Sequence, residues 1–490
     1  MEQSSQAAAH QQDHQQDHQD VTPLPIPEVY PMLKIALIGA GSILFTRRLL
    51  MDILAVEEFR DTEFRFMDVN EENLMMVTNL CRKLIEGNGL PATIVPTTDR
   101  RRALDGANYV LSTAKIGGLK AMGFDVEIPL KYGVDQCVGD TLAPGGIMYG
   151  LRSIPFLLDL AADMRDLCPD ALLIQYQNPM AINQWGLRRA GAIRTVGLCH
   201  GVQGTTKQIA RVFGLPMDEL HVTAAGINHQ TWFLQVDHNG RSLLPEMLER
   251  YEQDALANKW DRVRIDVMRR FGYYSTESNG HLSEYLPWYR KRPNERHKWF
   301  CYEDWPGGIT AGCLDWMRRQ KDEFKHMYPK WMAGEGEAIP LGDRSWEHAS
   351  YIIEALELGR PYRGHLNIGN HGVISNLPDG CTVEVPCIVD RDGIRPEWQG
   401  PLPLQVVAPL RASVSVQELT VEAALTGDVR LLKLALLNDP LTAASCNTEE
   451  VWAMADELLA AEAEWLPQFG PSGPRWEDRP APPLYRPHSS

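Results

Sequence analysis

The chain has 490 residues, with 48 Lys+Arg against 64 Asp+Glu and a formal net charge of −16 at pH 7. At roughly 100–200 residues per domain it holds about two to four domains, and its acidic balance argues against nucleic acid or an anionic membrane as partner. Hydrophobic residues at 44% and charged residues at 23% exclude collagen-like chains and wholesale disorder, which leaves a small-molecule enzyme as the favoured class.

Residues 3–20, with the near-repeat QQDHQQDHQD, have too little apolar surface to offset their ordering entropy and read as a disordered tail. His10, His14 and His18 stand four apart, so weak metal binding is open if that stretch turns helical. Prolines at 23, 25, 27 and 31 read as a linker, which puts the start of folding near Leu33. From there strands alternate with helical patterns. Lys34–Ile38, Glu63–Met67, Ala107–Ser112, Ala171–Tyr176 and Arg194–Leu198 read as buried-type strands. Phe45–Val56, Asn70–Glu86 and Leu151–Cys168 carry helical stripes. Such alternation implies a parallel sheet with right-handed crossovers, over residues 32–200.

After about Val202 the pattern loosens into a mixed α+β domain, 201–467. It has a strand at His221–Ala225, a hairpin around Asp237–Gly240, a strand at Thr382–Asp390, and helices at Val416–Leu436 and Thr448–Trp465 that pack back on the first domain. Residues 468–490, rich in Pro, Arg and Ser, read as a C-terminal tail. Nine cysteines without a CxxC pair fit a reducing compartment. No apolar run of about 18 or more residues and no basic-then-apolar leader stands in the sequence, so a cytoplasmic chain without a membrane partner is expected.

Gly39-Ala40-Gly41-Ser42 follows the first strand and opens a helix, where glycines let the backbone approach a pyrophosphate. The third glycine of the dinucleotide fingerprint is replaced by Leu44. Asp68, at the end of the next strand, stands where a carboxylate accepts hydrogen bonds from a ribose diol, favouring NAD over NADP; an ordinary strand–helix turn with a capping Asp stays open. Asn178-Pro179 puts an amide at the carboxyl edge of the sheet, although Asn-Pro is also a plain turn signal. Cys199-His200-Gly201 ends the fifth strand and precedes a helix running to Phe213, a setting where the helix dipole favours a thiolate. Gly226-Ile227-Asn228-His229 supplies an imidazole from a neighbouring loop. One Cys and one His make half a metal shell with open positions, as a catalytic metal requires, unless the two are an unrelated buried Cys and loop His.

Taken together these segments, with "EIPLKYGVDQCVGDTLAPGGIMYGLRSIPF", "NPMAIN", "GLCHGVQGT", "AGINHQTWFL" and "NLPDGCTVEVPCIVD" in one order, resemble glycoside hydrolase family 4, the NAD-dependent glycosidases, and within it the α-galactosidase branch. The likeness runs from about Lys34 to Pro467. It implies an α/β fold, a Rossmann-like NAD-binding domain followed by a mixed domain of lactate/malate-dehydrogenase type. It further implies NAD on Gly39, Gly41, Ser42 and Asp68, substrate contact from Asn178, and a metal, usually Mn2+, on Cys199 and His229. His200 matches the family's proposed acid at the leaving oxygen. The base that removes the C2 proton falls in Tyr273–Tyr285, where His281 is chosen ahead of Tyr285 and Tyr274. The reaction implied is oxidation at C3, deprotonation at C2, elimination and water addition, on a small α-glycoside, by a homodimer or homotetramer.

Two departures bear on the substrate. Gly201 stands where the α-galactosidases usually carry Ser, which removes a hydroxyl and is expected to open space beside the sugar. Lys115 stands where the galactosidases carry an uncharged residue, so a C6 carboxylate or phosphate has a cation to meet; a surface lysine, or one touching cofactor phosphate, is the alternative. The galactoside reading comes first, then glucoside or uronide. A hydroxy-acid dehydrogenase shares the dinucleotide logic but has no use for Cys199 and His229, and a non-catalytic sensor of NAD or sugar is the third class.

Overall fold

The computed structural model describes residues 32–42, 45–335, 341, 344–470 and 473, so the expected tail and linker through Pro31, His10, His14 and His18 among them, lie outside the described residues. From Met32 onward the described residues form one compact unit. Among the described residues the strands are β1 (Lys34–Ile38), β2 (Glu63–Met67), β3 (Thr93–Thr97), β4 (Tyr109–Ser112), β5 (Leu172–Gln175), β6 (Thr195–Gly197), β7 (Leu220–Ile227), β8 (Gln230–His238), β9 (Arg241–Ser242), β10 (Tyr362–Gly369), β11 (Thr382–Asp390) and β12 (Gly393–Pro396).

All lie in one sheet, in the order β3-β2-β1-β4-β5-β6-β10-β11-β7-β8-β9, with β12 paired to β11. The pairings from β3 to β6 are parallel, and every later one is antiparallel. Two joins rest on a single residue pair each: Asn367 with Gly197 where β10 meets β6, and Glu384 with Gly226 where β11 meets β7. The five strands read as buried runs are β1, β2, β4, β5 and β6. The sequence pattern passed over β3, whose Pro96 is accommodated because that strand is an edge.

Two apolar cores follow from this division. Ala36, Ile38, Val110 and Leu173 of the parallel strands meet Leu157, Leu160, Ala161 and Met164 on the helix Ala143–Leu167, whose periodicity is already visible from Leu151. Ala224, Phe233 and Val236 of β7 and β8 meet Val202, Ile209, Met247, Tyr251 and Ile265. The C-terminal helices do return to the first half, Leu404–Thr426 against Ala143–Leu167 and Thr448–Glu462 against Gly118–Lys131. The single helix expected over Val416–Leu436 is instead two. Gly427, at φ +67, ends the first, and the Asp428 side chain accepts from Arg430 N to start the second. Packing also continues past Pro467, since buried Gln468 donates to the Leu151 carbonyl at 2.8 Å. Among the described residues no helix is long and apolar enough to cross a membrane.

Candidate active site

Turns at the carboxyl ends of β1, β4, β5 and β6 lie along one edge of the parallel sheet, where open α/β sheets bind ligands. After β1 the chain bends through Gly39–Ser42, with Gly39 and Ala40 N–H donating to the Met67 carbonyl, both at 2.9 Å. Gly39 takes φ +87, and a Cβ there would lie 2.6 Å from Ala114 N. Gly41 N donates to Asp68 Oδ2 at 2.9 Å, and a Cβ on Gly41 would stand 2.7 Å from that oxygen. The two glycines thus admit the neighbouring turn and the Asp68 carboxylate. Ser42 Oγ accepts from Phe45 N at 3.4 Å at the start of the helix Thr46–Leu54, which has no side-chain N-cap.

The chemistry-bearing side chains converge from both halves. Cys199 follows β6, and its Sγ lies 3.7 Å from Glu277 Oε1. His229 sits in the two-residue turn between β7 and β8 at φ +61, with Nε2 4.0 Å from the same oxygen. One ligand atom from each of Cys199, His229 and Glu277 lies within 4.8 Å of the others. Glu277 also takes a left-handed backbone, φ +72. Such conformations cost energy in a non-glycine residue and persist where surrounding structure enforces them.

A relay of hydroxyl and carboxylate sets the imidazole. Thr141 Oγ1 donates to Asp140 Oδ1 at 2.7 Å and lies 2.7 Å from His229 Nδ1. With its one proton spent on Asp140, the hydroxyl accepts from Nδ1–H, which leaves the Nε2 lone pair facing Cys199 and Glu277. Burial pushes His229 down to about 4 against the pull of Glu277, so the ring is neutral at pH 7, the state that ligates a metal. Burial also acts on Glu277, but His229, His281 and His200 outweigh it and keep this carboxyl low and ionised.

Two expectations are corrected here. The Cys199 thiol is not readily ionised by its helix: burial first, then Glu277 and Glu384, push it well above the ordinary thiol range. A thiolate at this position needs a cation to balance it. Gly201 does not open space beside a sugar. A Cβ there would stand 1.7 Å from Glu277 Oε1 and 2.8 Å from Glu277 Cδ, so the room left by the missing side chain is filled by the Glu277 carboxylate.

His281 is buried on the short helix Asn279–Tyr285, its ring 4.7 Å from that of His229 and its Nδ1 2.8 Å from Ser278 Oγ and 3.8 Å from Glu277 Oε2. Tyr285 lies behind it at 6.5 Å between rings. Tyr274 is remote in orientation, packed on Tyr251 at 4.5 Å and under Arg264 in the second core. His200 stays beside Cys199 with its side chain half exposed and its Nδ1 3.2 Å from Glu347 Oε1; burial would lower it, but the Glu347 carboxylate raises it above the ordinary histidine value.

On the other shoulder Asn178 Nδ2 donates to Asp140 Oδ2 at 2.8 Å, and Asp140, His229 and His281 form a second close group. Burial is outweighed at Asp140 by His281, His229 and Lys115, which lower it. Lys115 is thus no isolated surface lysine: Nζ lies 3.7 Å from Met317 Sδ and 5.3 Å from the centre of the Tyr149 ring. Sequence reasoning missed Asp140, Thr141 and Glu277. The first two lie inside a string quoted above and Glu277 inside Tyr273–Tyr285, but polar residues in glycine-rich turns carry no periodic signal.

Residues 34–215 match the model of the family 4 glycosyl hydrolases, and residues 224–442 that of the family 4 glycosyl hydrolase C-terminal domain. The chain belongs to glycosyl hydrolase family 4. This family 4 enzyme is 50% identical over 438 residues, 89% of each chain, to an alpha-galactosidase of Rhizobium meliloti. Its fold is that of the lplD protein of Bacillus subtilis, with a TM-score of 0.77 at 26% identity over 87% of this chain and 100% of that one. A 6-phospho-alpha-glucosidase from gut microorganisms, solved in complex with NAD and Mn2+, has the same fold at 22% identity and a TM-score of 0.73, covering 89% of this chain and 99% of that one.

Proposed function

We propose that this family 4 hydrolase is an NAD- and Mn2+-dependent alpha-galactosidase, with alpha-glucosides and alpha-uronides as the next substrates in line. The observation that carries the reading is the meeting of the Cys199 thiol, the neutral His229 imidazole and the Glu277 carboxylate within 4.8 Å, beside the turn that fits a dinucleotide. Half identity to the Rhizobium alpha-galactosidase over most of both chains supports the galactoside. A cytoplasmic homodimer or homotetramer belongs to the same reading, on the cysteine pattern and the family resemblance.

The donor set suits a divalent first-row metal, since sulfur, imidazole nitrogen and carboxylate oxygen together match borderline cations. The buried Asn228 Oδ1, on the residue before His229, has no hydrogen-bond partner, so polar capacity remains there. Bound at these places, NAD supplies a hydride acceptor for C3 and the cation supplies Lewis acidity toward the sugar oxygens. The chain's own residues do the rest. Cys199 and His229 hold the cation, and Gly39, Gly41, Ser42 and Asp68 hold the dinucleotide. Glu277 adds its carboxylate to that donor set, and His281, its Nδ1 3.8 Å from Glu277 Oε2, takes the C2 proton. His200 gives a proton to the leaving oxygen. Asn178 aligns the sugar, and Lys115 sits where a C6 carboxylate would be met in the uronide reading.

The test is a panel of p-nitrophenyl α-galactoside, α-glucoside, α-glucuronide and 6-phospho-glucoside with NAD, Mn2+ and reductant, run in deuterated water. Release of galactose carrying deuterium at C2, without net accumulation of NADH, is expected. Full retention of protium at C2 would overturn the mechanism, and NADH accumulating with a hydroxy acid would favour a dehydrogenase.

A further inference from the structure

One pair stands against the Cys199-His200 dipeptide. Glu347 and His348 open the helix His348–Leu358 and are 1% and 0% exposed. Glu347 reaches His200 Nδ1 at 3.2 Å. His348 Nε2 lies 3.2 Å from the Cys199 carbonyl, which can only accept, so a bond there takes the tautomer with the proton on Nε2, with the Gln203 amide turning its oxygen to the ring. Nδ1 then accepts from the Tyr362 hydroxyl at 2.6 Å, and Gln203 packs its amide on the same ring. Two consecutive residues therefore hold two consecutive residues, one by a side chain and one by the backbone.

The holder is itself braced. Glu347 N donates to Ser345 Oγ at 3.2 Å, and Ser345 N donates to Asp52 Oδ1 at 2.8 Å on the helix that follows the dinucleotide turn. Ala349 N donates to the Tyr176 hydroxyl at 3.3 Å, just past β5. The same helix brings Arg48 to 3.9 Å from Glu347. Two contacts of this network fall on the loop carrying Cys199: Glu347 on His200 Nδ1 and His348 on the Cys199 carbonyl.

We propose that Glu347 and His348 are positioning residues, His348 fixing the backbone from which the Cys199 thiol is aimed and Glu347 fixing the ring plane of His200. This rests on the reading of Cys199 as a metal ligand and His200 as the proton donor. Outer-shell partners of this kind typically alter metal affinity about 10–100-fold.

The test uses the full chain in metal-free form and Co2+ alone as probe. For His348→Ala, the sulfur-to-cobalt charge-transfer band at saturation weakens, Co2+ affinity falls about 10–100-fold, and the rate of Cys199 alkylation by iodoacetamide, read by peptide mass, changes. His348→Gln keeps a donor toward the Cys199 carbonyl and recovers most of each loss. For Glu347→Gln, kcat with p-nitrophenyl α-galactoside falls while KM moves little. Wild-type spectra, alkylation and kcat in these variants would overturn the proposal, as would losses that only track the melting temperature with no recovery in His348→Gln. If wild type shows no charge-transfer band, the ligand reading fails instead. The clasp is then still decided by the alkylation rates, which need no metal.

Discussion

The parallel and antiparallel halves build their parts of the active site by different means. From β1 to β6 the candidate cofactor site is made of backbone and one carboxylate: Gly39 and Gly41 are close to neighbours that admit no side chain, and Asp68 closes the turn. From β7 onward it is made of side chains carried on strained or buried turns, His229 at φ +61 and Glu277 at φ +72. The first kind of site survives many substitutions so long as the glycines stay. The second depends on a few contacts spanning large sequence distances, such as the 78 residues between Cys199 and Glu277.

Substitutions should separate the halves. Cys199→Ser is expected to cost most, more than about 100-fold in kcat/KM and in Mn2+ affinity by calorimetry, beyond what outer-shell changes produce; wild-type values for both would remove Cys199 from the site. Gly201→Ser pushes the Glu277 carboxylate aside, and a misplacement of about 1 Å within the site is worth roughly 100-fold in kcat. Its crystal structure with Glu277 unmoved would contradict that cause. On the parallel side, Asp68→Asn removes a charged acceptor worth about 1.5–3 kcal/mol and should weaken NAD alone. An equal loss of Mn2+ affinity in that variant would break the comparison.

A separate effect is a stability change with pH. Burial, opposed by the Thr231 hydroxyl and reinforced by Glu277, pushes Glu384 up from 4.5 to about 8. A carboxyl raised on folding binds more protons in the native state, so its contribution is fully present below the unfolded value and is lost as pH rises through the folded one. Glu384→Gln should therefore gain melting temperature relative to wild type in the metal-free protein as the pH is taken from about 5 to about 9. A constant difference across that range would show that Glu384 does not titrate there.

The same division explains what could be read from the chain alone. Buried parallel strands are short apolar runs between turn residues, and Gly39, Gly41, Asp68 and Cys199 sit directly at their ends, where position along the sequence is position in the site. Glu277 and Asp140 lie in polar turns, and Glu347 and His348 at the start of a helix, in stretches indistinguishable in composition from solvated loops. Their burial comes from the fold rather than from any local pattern, and so does the carboxylate that occupies the room beside Gly201. β10, with the mixed pattern YRGHLNIG, escaped notice for the same reason, since its neighbours β6 and β11 decide which residues are covered.

The two single-pair joins of the sheet have a mechanical consequence. Gly197 lies two residues before Cys199 and Gly226 three before His229, so the β10–β11 ribbon meets each of the two strands that carry them at one residue pair. Amides at those two glycines should exchange with solvent sooner than those of β1 or β4 until a ligand joins Cys199 and His229.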